Sequence, residues 1–313
     1  MRPIIDLSDI GGQWRVATVR ELDHAGVDAR RRRALVDRGQ LTAYGRGVYL
    51  LGTPLTGADG WWQRAAAAVR IAGPDAALSG RAAAAAWGLD GFEPDREPIT
   101  VDVPPAAGCR RPWVRRVRML EAADRVRGVP VTAASQTLLD LGGFVAPELV
   151  RRFGLDPLCP LDAVELALEA ALRTGLVEMD ELDGLTTRAG GARRGRASLM
   201  AILARRPQGA APTESYLETR GIQRLRDAGL GDWDRQAWLD VELNGHRVRV
   251  DLHRDGHVIE FDGRDPHARH HTRDRRRWNA LTAAGYQVRV FTWADVEHEH
   301  TAMTDVVRRM LGR

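Results

Sequence analysis

Asp251, Glu260 and Asp262 fall within one stretch, Val248-Arg-Val-Asp-Leu-His-Arg-Asp-Gly-His-Val-Ile-Glu-Phe-Asp262. Two alternating apolar runs flank Asp255-Gly256, a pair that favours the two-residue hairpin turn in which both residues take positive φ. With that turn as the loop, Arg254 faces His257, Leu252 faces Ile259 and Asp251 faces Glu260. Period-two alternation then predicts Val248, Val250, Leu252, Ile259 and Phe261 on one face and Asp251, Glu260 and Asp262 on the other. Opposed residues have Cβ atoms ~5 Å apart. At that distance two like charges repel by roughly 3 kcal/mol at an effective dielectric near ~20. A proton on one carboxyl, or a divalent cation between them, relieves the repulsion. Clustered carboxylate oxygens suit a hard ion, Mg²⁺ or Mn²⁺. The plainer account is an acidic edge in solvent, or one neutralised by Arg247 and Arg249.

Neighbouring elements must hold these acids. Upstream, Thr213 is the expected cap of a helix carrying Glu214 and Glu218. Downstream come His267, His270 and His271, then a helix over 273–284 and a strand over 286–291. Adjacent histidines point different ways and no thiolate supports them, so the group reads as a neighbour of a scissile phosphate rather than a zinc site. The helix carries Arg273, Arg275, Arg276 and Arg277, placed to neutralise phosphates beside the acids.

The whole chain bounds these ideas. Its 313 residues suffice for two or three domains, and 44% hydrophobic with 28% charged residues fills real cores. No apolar run is long enough for a membrane helix, and the start MRPIIDLSDI lacks a secretory core. Cys109 and Cys159 form no CxxC pair, which argues against a disulfide scaffold and a thiolate zinc finger and makes a reducing cytoplasm the expected compartment. Lysine is absent, so all 46 basic side chains are arginine, and any role that needs a lysine must be filled otherwise.

Composition shifts divide the chain into 1–56, 57–150, 151–211 and 212–313. In the first segment Thr18 and Asp28 are N-caps of two short helices, the first closed by Gly26. A hairpin with Arg46 between its strands follows. Helix, turn, helix and hairpin predict a winged helix-turn-helix whose second helix, headed by Arg30, Arg31, Arg32 and Arg33, enters the DNA major groove. A solvated arginine face is the other reading. The second segment reads as an α/β unit with a basic strip of Arg110, Arg111, Arg115, Arg116 and Arg118. The third is a helical connector ending in the Pro/Gly/Ala-rich linker 206–212. The expected class is thus mixed α/β (α+β).

Val250-Asp-Leu252, Ile259-Glu-Phe-Asp-Gly263 with histidines downstream, Arg273-Asp-Arg-Arg-Arg-Trp-Asn-Ala-Leu-Thr-Ala-Ala-Gly-Tyr286 and Val288-Arg-Val-Phe291 together resemble the very-short-patch-repair-like (Vsr-like) nuclease domain of the PD-(D/E)xK superfamily, over residues 212–313. Thr213-Glu-Ser-Tyr-Leu-Glu-Thr-Arg220 resembles its opening helix, with Glu218 the best match for the family's glutamate and Glu214 in reserve. The N-terminal half resembles AbiEi-type antitoxins through Gly45-Arg-Gly-Val-Tyr49, Leu78-Ser-Gly-Arg-Ala-Ala83 and Pro130-Val-Thr-Ala-Ala-Ser-Gln-Thr-Leu-Leu-Asp140. That family carries histidine where this chain has Gly80, and arginine where it has Gln136.

The resemblance implies a restriction-endonuclease-like αβββαβ domain that hydrolyses DNA phosphodiesters. Asp251 and Glu260 would hold Mg²⁺ (or Mn²⁺), Asp262 would adjoin the ion or stand behind its ligands, and Glu218 would contact the ion through water or orient the nucleophile. The superfamily's lysine position is Asp262 here, so His267, His270, His271 or an arginine would replace it, or the role is vacant. The implied alternative is an antitoxin-like transcription regulator with a silent nuclease fold, paired with a cognate toxin. RNA is a third candidate substrate.

Overall fold

The computed structural model describes residues 10–117, 121–143, 160–207, 209–263 and 271–312. The protein is mixed α/β with several sheets, and it parts into two packed units, Met1–Ala167 with Val177–Met200 and Leu168–Leu176 with Ala201–Arg313. Composition had suggested four segments, a finer division. Among the described residues no helix is long and apolar enough to cross a membrane.

In the first unit Thr18 caps α1 (Val19–His24) reciprocally: its hydroxyl accepts the Glu21 N–H at 3.2 Å while the Glu21 carboxylate accepts the Thr18 N–H at 2.7 Å. Gly26, at φ 76°, turns the chain, and the Asp28 carboxylate accepts the Arg31 N–H at 2.7 Å to start α2 (Ala29–Asp37). Strands β1 (Val16–Thr18), β2 (Leu41–Gly45) and β3 (Val48–Leu51) form an antiparallel sheet in the order β1-β3-β2. Ala17, Leu22, Val27, Leu41 and Leu51 make the core beneath it. No residue of α2 is fully buried.

The arginine run on α2 is not one uniform face. Arg30 and Arg33 are exposed, as is Arg46 between β2 and β3. Arg32 instead donates to the Val27 carbonyl at 2.7 Å and pairs with Asp23, a tie across the turn between the helices.

The rest of this unit runs through α3 (Gly57–Ala72), β4 (Ala77–Leu78), α4 (Gly80–Trp87), β5 (Val101–Val103), β6 (Val114–Arg116), β7 (Asp124–Val126), β8 (Val129–Val131) and α5 (Ala134–Gly143). Its sheet is ordered β6-β5-β4-β8-β7. Arg115 departs from the expected basic strip. It turns inward to grip Asp102 at 2.7 and 2.8 Å and Asp140 at 3.1 Å, and Arg193 meets Asp140 at 3.0 Å. Two buried aspartates require that charge. Arg110, Arg111 and Arg116 are exposed, and Arg118 lies outside the described residues. Helices α6 (Pro160–Arg173), α7 (Met179–Ala189) and α8 (Arg196–Arg205) follow.

The second unit holds α9 (Tyr216–Asp227), β9 (Asp234–Leu243), β10 (His246–Arg254), β11 (His257–Asp262), α10 (His271–Ala283), β12 (Gln287–Thr292), α11 (Trp293–Glu297) and α12 (His300–Met310). The sheet order is β12-β11-β10-β9, with β12 parallel to β11 and the other pairs antiparallel. One apolar cluster joins Leu217 and Leu225 of α9 to Leu252, Ile259, Phe261, Phe291, Met303 and Val307. A second gathers Leu239, Val241, Val248, Val250 and Val258 around Leu281 of α10. Helices therefore cover both faces of the sheet.

Candidate active site

The hairpin forms in the expected register: Arg254 pairs with His257, His253 with Val258 and Leu252 with Ile259. Asp255 and Gly256, at φ 48° and 80°, make the turn. The face assignment needs correction. Val248 and Val250 pack with Val258 and Leu281, whereas Leu252, Ile259 and Phe261 pack on the α9 side. Alternation therefore slips at Asp251. There the ladder stops: the Asp251 Oδ2 accepts the Phe261 N–H at 2.8 Å, standing in for a backbone carbonyl. Strand β9 is irregular at the same level. Gln236, between the paired Ala237↔Val250 and Arg235↔Leu252, has φ 52° and is buried. A carboxylate in the fork of two strands and a turned-in glutamine beside it are what the slip achieves.

Glu218, Asp251 and Glu260 line a single cavity of about 460 Å³, with Asp262, Asp274, Arg277 and Trp278 also in its wall. Glu218 comes from the first turn of α9. The cap of that helix is Ser215, not Thr213: the Ser215 Oγ accepts the Glu218 N–H at 3.1 Å, while the Thr213 hydroxyl is engaged with Thr219 at 2.6 Å. Glu218 is 1% exposed; its Oε2 accepts the Glu214 N–H at 2.6 Å and its Oε1 accepts from Gln236 Nε2 at 2.9 Å. The same Gln236 nitrogen lies 3.5 Å from Asp251 Oδ1. Glu260 is 4% exposed, and its Oε2 pairs with Arg277 of α10. Its Oε1 is buried with no hydrogen-bond partner among the described residues.

Electrostatics follow from this burial. Glu218 and Glu260 are each pushed up from 4.5 to about 8, chiefly by desolvation and then by the charge of Asp251. Gln236 pulls Glu218 back, and Arg277 does the same for Glu260. Asp251 is also raised by burial, against the stabilising Phe261 N–H and the charge of Arg277. Acids raised by burial and by one another in a cleft mark a candidate functional site.

The plainer account, neutralisation by arginine, is met in part: the charge of Arg249 lowers Asp251, and Arg277 pairs with Glu260. Arg247 donates to the carbonyls of Leu239 and Trp238 at 3.3 Å each, and Arg249 pairs with Glu214, leaving Glu218 as the glutamate that faces Asp251. Asp262 is half-buried in the cavity wall two residues beyond Glu260. Arg276 is exposed on α10, and Arg277 belongs to the acid cluster as well as to the basic helix. His271 and Arg273 lie in the first turn of α10, but their side chains are outside what is described, as are residues His267 and His270 altogether. Sequence reasoning missed Gln236, because only the positive φ turns it inward.

The donor set suits a hard divalent ion. Among the described residues no three acidic, histidine or cysteine side chains are gathered closely enough to enclose an ion by themselves. Magnesium is commonly bound through one or two carboxylates while keeping several waters, and Asp251 with the unpartnered Glu260 Oε1 offers that. No protein-family model matches the chain, and no curated protein matches it.

Proposed function

We propose that the protein is a metal-dependent DNA endonuclease, a Vsr-like nuclease domain of the PD-(D/E)xK superfamily joined to an AbiEi-like N-terminal half with a winged helix. The observation that carries the reading is the convergence of Glu218, Asp251 and Glu260 on one cavity, with the Glu260 Oε1 lacking a hydrogen-bond partner among the described residues. The order α9-β9-β10-β11-α10-β12 supports it as the αβββαβ arrangement expected of such a domain.

Asp251 and Glu260 would hold Mg²⁺ or Mn²⁺, with Asp262 adjoining; the ion would polarise the scissile phosphate and lower the pKa of the attacking water. The chain's own groups do the remainder. Glu218, held in orientation by Gln236 and the Glu214 N–H, would contact the ion through water or orient the nucleophile. Arg277 supplies fixed positive charge beside Glu260, a candidate replacement for the lysine whose position Asp262 holds here, and Arg276 meets a flanking phosphate. Arg30, Arg33 and Arg46 of the N-terminal unit bring the protein to duplex DNA through backbone phosphates.

One observation favours a second reading. Arg277 already neutralises Glu260, and if that pair is permanent the domain is a silent DNA clamp in an antitoxin-like regulator with a toxin partner. Incubating supercoiled plasmid with Mg²⁺ or Mn²⁺ separates the two. The nuclease reading expects nicking that disappears in Asp251→Ala and Glu260→Ala. Binding without cleavage in either metal favours the regulator, and cleavage that survives both substitutions removes the assigned site.

A further inference from the structure

The acid cavity continues past its own wall. A second cavity of about 800 Å³, over the β9–β10 hairpin, shares Glu214, Asp251, Asp274 and Arg277 with the first, so the two form one groove that passes the acids. Each reach of the groove presents a tryptophan. Trp238 is 58% exposed and Trp293 48%; among the described residues of this unit they are the large apolar side chains left open to water.

Neither ring is loose. Trp238 stands opposite Arg249 across the β9–β10 ladder, with the guanidinium 5.5 Å from the ring centroid, and Arg249 is itself held by Glu214. Trp238 lies two residues along β9 from Gln236, the residue that touches Glu218, which fixes it roughly 7 Å along the strand from the acid level. On the other side Trp293 stacks on Tyr216, centroids 5.2 Å apart and planes at 22°, and the Tyr216 hydroxyl donates to Glu297 at 3.2 Å.

Rigid indoles flanking a phosphate-handling centre offer flat surfaces to flat partners. In duplex DNA each base has both faces covered by its stacked neighbours, whereas an unpaired base has a face to give. Arg247, exposed in the wall of the second cavity, and Arg249 supply positive charge along the same path.

We propose that this groove binds single-stranded DNA, with one base stacked on Trp238, another on Trp293, and the phosphate between them lying at Asp251 and Glu260. The class of substrate and the seat of the phosphate rest on the nuclease reading; the stacking on the two rings does not. Aromatic stacking is sequence-tolerant, so the groove reads the unpaired state of the strand rather than its bases.

The test uses the full chain, free of divalent ions, titrated into a labelled oligothymidine and into a duplex of equal length. Loss of either ring is expected to weaken oligothymidine binding on the order of 10-fold. Trp238→Ala and Trp293→Ala should each do this while leaving duplex affinity unchanged, and Trp238→Phe should restore most of the loss. Tryptophan emission should be quenched by the oligonucleotide. Unchanged single-strand affinity in both alanine variants, or an equal loss for duplex, overturns the proposal; so does tighter binding of an oligouridine RNA than of its DNA counterpart. A protein that binds through both rings yet never cleaves keeps this inference and defeats the nuclease reading. One that cleaves DNA but binds oligothymidine as tightly with both rings replaced does the reverse.

Discussion

Glu218 and Glu260 have raised pKa values near 8, and the sign of that shift has a consequence for the metal-free protein. A carboxyl whose folded pKa lies above its unfolded value favours folding while protonated. Its contribution is complete below about pH 4.5, declines as pH rises, and is gone once pH passes about 8. Thermal unfolding without divalent ions should therefore show a falling Tm from about pH 5 to about pH 8. Glu218→Gln with Glu260→Gln should flatten that slope, and a slope unchanged in the double variant would contradict the assignment. Gln236→Ala removes the amide that bridges Glu218 and Asp251; it should slow plasmid nicking on the order of 10-fold while leaving duplex binding intact, as initial rates and gel shifts would record. Asp251 and Glu260 were legible in the sequence because the tight turn at Asp255-Gly256 brings their strands together, although the alternation expected to oppose them slips at Asp251. Glu218 was legible only through family resemblance, since nothing local links α9 to the hairpin. Gln236 was not legible, for a positive φ at a glutamine leaves no trace in residue type.

Helix α9 is held against the sheet by a close approach rather than by many large side chains. A Cβ at Gly221 would lie 2.1 Å from the Phe261 ring, one residue beyond Glu260. Gly221→Ala should push α9 outward, lowering stability by about 1–3 kcal/mol and withdrawing Glu218 from Asp251. Urea unfolding and Mn²⁺ affinity should fall together, and a variant stable but normal in metal binding would dissociate the helix from the site. The stem of β9 is fixed separately: Glu169, at the C-terminal end of α6, meets Arg206 and Arg235 at 3.1 Å each and accepts the Thr213 N–H at 3.1 Å. Glu169→Ala leaves two buried guanidinium groups without their carboxylate and should cost about 3–5 kcal/mol in denaturant unfolding. Sequence patterning reached the hairpin, α10 and β12 but misplaced the cap of α9 and the faces of β10. Both misses have one cause. Tertiary partners claim the Thr213 hydroxyl and the Asp251 carboxylate, and local rules do not register such competition.

Across the whole molecule, the formal charge of +4 is modest, and where the arginines stand matters more than their sum. The run 30–33 reads in sequence as one basic face; the fold divides it, keeping Arg32 for the tie to Asp23 and Val27 and leaving Arg30 and Arg33 exposed with Arg46. Replacing Arg30, Arg33 and Arg46 by alanine should reduce the salt dependence of duplex binding by a slope of about 3, whereas Arg32→Ala should act on stability. The mixed α/β class, the two capped helices α1 and α2 and the β2–β3 hairpin were readable from caps, turns and alternation. The inward turn of Arg115 was not, because its aspartate partners lie on β5 and α5, remote in sequence. The central claim is that Asp251 and Glu260 of the C-terminal unit together hold a divalent cation. Calorimetric titration of Mn²⁺ into the full chain at about pH 8 tests it most directly. The account predicts saturable binding that Asp251→Asn and Glu260→Gln each abolish. Binding unchanged in both variants, or none in the wild type, would contradict it.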